Sequence, residues 1–125
     1  MMKARIVIKT MQQMGRIIQL IKEATLQEEG TDGRRGHWRL EYGTPGIIVP
    51  EQDANLFEPI YVTTRDISLE GVGFFSTHRL RPGQRILITV ETDFGDLEVP
   101  AKVVHTNGTV GGFKIGAKFL LDEAN

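Results

Sequence analysis

Two short stretches of the chain carry residue types able to recognise a polar ligand. The first is Arg34-Arg35-Gly36-His37-Trp38-Arg39. A guanidinium stays charged at any physiological pH and offers a planar fork of N–H donors. That fork fits phosphate oxygens, it fits O6 and N7 of guanine, and its plane can stack on a base. Arg35 and Arg39 stand four residues apart, and Gly36 lets the backbone bend so that both reach one ligand from different directions. The second stretch is Asp66-Ile67-Ser68-Leu69-Glu70-Gly71. The two-residue period of a strand predicts Asp66 and Ser68 on one face, with Ile67 and Leu69 turned the other way into a core. A carboxylate at Asp66 can accept from N1–H and N2–H₂ of guanine, or it can hold a neighbouring arginine. The Ser68 hydroxyl can donate to phosphate or bridge to a base. Gly71 permits close approach of a ligand or an unusual φ. Taken singly, the arginines read as a solvated loop and the second stretch as a strand end closed by an Asx or Ser turn.

The elements that must position these residues differ in period. From about Lys3 to Glu28 the chain holds one glycine, Gly15, and no proline. Val7, Met11, Met14, Ile18 and Ile21 recur in alternating steps of four and three, which predicts an amphipathic helix with a heptad seam. Ile6, Ile17 and Leu20 widen the stripe. A first piece near Ile6–Ile8 reads as a strand alternative. The helix cannot bury this stripe alone, so it docks on its own domain or on another chain. Residues 30–36 are polar and carry three glycines, which predicts a flexible connector.

From Trp38 onward the pattern is β. Trp38 to Tyr42 alternates, and Trp38 reads as a core plug or as a lid that stacks on a base. Ile47-Ile48-Val49 is a short run ended by Pro50, and Glu51 to Glu58 is an irregular acidic loop. Further strands are expected over Pro59–Leu69, Gly71–Ser76, Arg85–Thr92, Leu97–His105 and Gly112–Leu120. Turns are expected at Pro82-Gly83, Asp93-Phe94-Gly95-Asp96 and Asn107-Gly108. Short strands with close turns predict a mainly β fold, a small barrel or sandwich.

Composition narrows the function classes. The 125 residues suit one domain plus an appendage. A formal net charge of -1 argues against general affinity for DNA, RNA or anionic membranes. There is no cysteine, hence no disulfide, thiolate nucleophile or cysteine metal site. The apolar runs are too short for membrane insertion, and Met1-Met2-Lys3-Ala4-Arg5 carries no secretory cleavage site, so a soluble cytoplasmic protein is expected. His37, His78 and His105 are scattered with no carboxylate at ligand spacing, so no metal is expected. Asp66 and Ser68 lack a nucleophile elbow, and residues 108–112 lack the lysine of a phosphate-binding loop. No catalytic residue and no enzymatic activity are expected.

Taken together, the two stretches resemble the signature of the PilZ domain family, bacterial receptors for cyclic di-GMP. Arg35-Gly36-His37-Trp38-Arg39 matches its R-x-x-x-R, and Asp66-Ile67-Ser68-Leu69-Glu70-Gly71 matches its D/N-x-S-x-x-G. Thr64-Arg65, Val72-Gly73-Phe74-Phe75 and the closing Lys114-Ile115-Gly116-Ala117-Lys118-Phe119 are similar as well, over roughly Arg34 to Leu121. The resemblance implies a six-stranded antiparallel barrel, here with an N-terminal helix. It further implies that the arginine loop folds over cyclic di-GMP held against the barrel. Arg35 and Arg39 would grip guanine and phosphate, and Asp66, Ser68 and Gly71 would complete the pocket. Arg34 falls at the variable position before the first arginine, which in the family influences how many ligands stack. The acidic Glu51–Glu58 loop and Glu70 depart from the family pattern.

The resulting expectation is an N-terminal helix over residues 1–29, a flexible arginine loop over 30–36, the barrel over 37–121 and a tail over 122–125. Ligand would order the loop and alter contact with an unidentified downstream partner, or with a second copy through the N-terminal helix. The alternative is a degenerate module of the same fold that binds protein and no nucleotide.

Overall fold

The computed structural model describes residues 4–25, 39–51 and 59–122. In chain order the elements are β1 (Arg5–Val7), α1 (Met11–Thr25), β2 (Leu40–Glu41), β3 (Pro45–Pro50), β4 (Ile60–Ile67), β5 (Gly71–Ser76), β6 (Arg85–Thr92), β7 (Gly95–Thr109) and β8 (Gly112–Phe119). β7 lies against β6 through residues 95–102 and against β8 through residues 101–109. The path β7-β6-β3-β4-β5-β8 therefore closes on itself, and every pairing around it is antiparallel. The mainly β architecture is the expected six-stranded barrel, closed by the β7–β8 pairing.

β2 and β3 lie along the same edge of β4, as one run broken at Tyr42–Thr44. The buried hydroxyl of Thr64 bridges the break: it donates to the Tyr42 carbonyl and accepts from the Thr44 amide at 2.9 Å. Alternation fills the interior. Ile86, Ile88 and Val90 of β6 meet Val99, Val103, Ile115 and Phe74 in one buried core.

β1 adds a parallel strand to β7 at residues 96–98, the stretch of that edge which β8 does not reach. This explains why helix geometry starts only at Met11, although the apolar seam begins at Val7. The helix start is a reciprocal cap. The Gln13 amide donates to Thr10 Oγ1 at 3.1 Å, and Gln13 Oε1 accepts from the Thr10 amide at 3.1 Å. Met14, Ile17, Ile18 and Ile21 are buried in the same cluster as the barrel residues, so the chain covers this part of the helical stripe, while Leu20 stays exposed. No described helix is long and apolar enough to cross a membrane.

The last hairpin differs from its expected position. β7 runs through Asn107 and Gly108, which pair with Lys114 and Phe113. The turn falls at Val110-Gly111, where Gly111 has φ +85°. A register that keeps Ile115, Ala117 and Phe119 inside the barrel overrides the local Asn-Gly preference.

Candidate functional site

One row of residues crosses the outer wall of the barrel. Asp66 on β4 lies opposite Gly73 on β5, Gly73 opposite Gly116 on β8, and Gly116 opposite His105 on β7. Side chains flank the row and glycines form its middle. The result is a groove of about 200 Å³ walled by Arg39, Arg65, Asp66, Val104, His105 and Lys118. The glycine floor is required by close approach. A Cβ on Gly73 would lie 2.7 Å from Asp66 Oδ1 and 3.0 Å from Arg65 Nη2, and one on Gly116 would run into the His105 ring.

Two irregularities shape the walls. The β4 register shifts between Thr64 and Asp66, and the β7 register shifts between Val103 and His105. A bulge inserts one extra residue and breaks alternation. Arg65 and Asp66 therefore share the outer face while Thr64 and Ile67 stay buried, and Val104 and His105 share it on the opposite wall. Arg65 Nε donates to Asp66 Oδ2 at 3.0 Å. Of the two roles open to Asp66 in the sequence, holding a neighbouring arginine is the one seen here.

β4 ends at Ile67, so Ser68 lies in the turn that follows rather than within the strand. Its hydroxyl accepts from the amides of Glu70 and Gly71, each at 3.2 Å, while its own amide donates to the Gly71 carbonyl at 2.9 Å. Ser68 thus closes the turn that leads into β5. It is buried, and with Gly71 it lines the end of the groove. Gly71 lies so close to the Ala117 carbonyl on β8 that a side chain would collide with it. Leu69 turns away and packs against the core, as expected.

Arg39 immediately precedes β2, is exposed, and stands at the groove. Arg34, Arg35 and Trp38 lie outside the described residues, as does most of the Glu51–Glu58 loop. The structure thus brings Arg39, Asp66, Ser68 and Gly71 to one groove. It adds Arg65, Gly73, His105, Gly116 and Lys118, which sequence reasoning did not assign to the site. Arg65, Gly73, Gly116 and Lys118 fall in stretches similar to the family, but nothing in the sequence brings them or His105 to one groove, since their partners depend on long-range register. The chemistry is that of recognition: cationic donors, a carboxylate acceptor and an apolar flank at Val104 around a floor that a flat ring can approach. Among the described residues no group of three or more His, Asp or Glu is placed to hold a metal ion.

The family model for the PilZ domain matches residues 33–125. The chain belongs to the PilZ domain family. Among solved structures, the PilZ fold is shared with the PilZ domain of YcgR from Escherichia coli, determined with c-di-GMP. That match has a TM-score of 0.56 and 17% identity, and it covers 70% of this chain and 78% of the other. No curated protein matches the chain. The PilZ match begins at residue 33 and so takes in both signature stretches, leaving β1 and α1 as additions to the family barrel.

Proposed function

We propose that this PilZ domain is a non-enzymatic, cytoplasmic receptor for cyclic di-GMP, and that the groove over Gly73 and Gly116 is where the ligand sits. The observation that carries the reading is the convergence of Arg39, Asp66, Ser68 and Gly71, four residues of the family signature, on one groove. The family match and the c-di-GMP carried by the YcgR domain support cyclic di-GMP as the ligand. In this reading Arg35 and Arg39 supply charge-assisted donors to phosphate and guanine, and deleting either donor costs about 1.5–3 kcal/mol. Arg34 beside them is the residue through which a second, stacked ligand would be accommodated. The turn closed by Ser68 holds the Asp66 strand end and Gly71 in register, so Ser68 acts on the ligand largely through the backbone it fixes.

Ligand drawn onto the arginines would order residues 30–36 over the groove and so link ligand binding to α1. The output would be an altered contact with a partner protein or a second copy. A second reading, a degenerate domain that binds protein alone, draws on Tyr61 and Phe75, which stand 75% and 43% exposed on the outer wall, and on Val110 at the hairpin tip. Amide chemical-shift mapping separates the two. Cyclic di-GMP should move the amides of Asp66, Gly73, His105 and Gly116 and leave those of Tyr61 and Val110 in place. A spectrum unchanged by excess ligand would favour the protein-only module.

A further inference from the structure

We propose that Arg65, which belongs to neither signature stretch, is a specificity-determining residue of the groove and reads the base edge jointly with Asp66. The inference rests on the cyclic di-GMP reading above. Consecutive residues of a strand normally face opposite sides of the sheet. The bulge between Thr64 and Asp66 cancels that rule here and puts the Arg65 guanidinium and the Asp66 carboxylate side by side on the outer wall. The two side chains are 28% and 18% exposed and joined at 3.0 Å through Arg65 Nε. Among the described residues the terminal nitrogens of Arg65 make no hydrogen bond, and Nη2 hangs over Gly73, 3.0 Å from where a Cβ would sit.

The pair therefore presents a fixed donor next to a fixed acceptor above a floor with no side chains. Guanine offers the complement: its O6 accepts, and the adjacent N1–H and N2–H₂ donate. Adenine carries a donating N6–H₂ where guanine has O6. A pair already locked by its own ion pair loses little freedom when a base arrives. Arg65 Nη facing O6, with Asp66 facing the N–H groups, would favour guanine over adenine. A cation acting only on phosphate would treat both bases alike.

The test is calorimetric titration of the full chain with cyclic di-GMP and with cyclic di-AMP, for wild type, Arg65→Met and Arg65→Lys. Thermal melting of each variant checks that the fold is retained. Wild type is expected to prefer the guanine ligand about a hundredfold. Arg65→Met should weaken cyclic di-GMP about ten- to hundredfold and leave cyclic di-AMP within about threefold. Arg65→Lys, a point charge without the planar fork, should not restore the preference. Equal weakening of both ligands in Arg65→Met, or full selectivity in Arg65→Lys, would overturn the assignment while leaving the receptor reading intact. If Arg65→Met does not fold, the Lys variant decides alone. No binding of cyclic di-GMP by wild type would overturn the receptor reading, and this inference with it.

Discussion

Gly73 lies directly opposite Asp66, so close that a methyl group on Gly73 would stand 2.7 Å from Asp66 Oδ1. The missing side chain on β5 is what lets the Arg65–Asp66 pair lie over the groove floor. Gly73→Ala should push that pair outward. The atoms it meets are side-chain ends, so the fold should survive. Affinity for cyclic di-GMP should fall about tenfold or more while the melting temperature changes by only a few degrees. An alanine variant that binds as wild type does would remove Gly73 from the site.

Ser68→Ala is expected to behave differently. Its hydroxyl accepts from two turn amides, and alanine leaves both without that acceptor. A loss of about 1–3 kcal/mol of stability follows, read as a lower midpoint in urea unfolding with an unchanged slope. Ligand affinity should fall as well, since Gly71 is held by the same turn.

Gly15 gives a prediction of opposite sign. It sits inside α1, where glycine costs about 1 kcal/mol relative to alanine. A Cβ there would meet Leu69 Cδ1 at 3.9 Å, an ordinary contact. Gly15→Ala should therefore raise stability by about 1 kcal/mol in chemical denaturation. A destabilised variant would mean that the helix packs more tightly on the Ser68–Gly71 turn than this distance implies.

Much of this was legible in the sequence, for identifiable reasons. Ile86, Ile88 and Val90 alternate cleanly because β6 is regular, and Asp93-Phe94 closes the predicted hairpin with Thr92 opposite Gly95. The order of the two signature stretches pointed to the groove. The bulges at Arg65 and Val104 have no signature in composition, and they decide which side chains face the ligand. The row Asp66–Gly73–Gly116–His105 depends on register between strands far apart in the chain. Thr10 and Gln13 did carry a readable capping-box spacing, and it marks the helix start that the apolar seam alone placed too early.

The helical stripe tests cis docking. Met14 and Ile21 are essentially inaccessible, at 0% and 1% exposure. Ile21→Ala should cost about 2–5 kcal/mol of stability. The unfolding midpoint of wild type should not depend on protein concentration, because the face is covered by its own barrel. A midpoint that rises with concentration would instead indicate docking between chains.

Calorimetric titration with cyclic di-GMP, using GTP as control, decides whether the groove binds the ligand. Wild type should give saturable heat with cyclic di-GMP and none with GTP, and Arg39→Ala and Asp66→Ala should each bind about ten- to hundredfold more weakly. No heat from wild type at high micromolar cyclic di-GMP, or Arg39→Ala and Asp66→Ala binding as tightly as wild type, would contradict it.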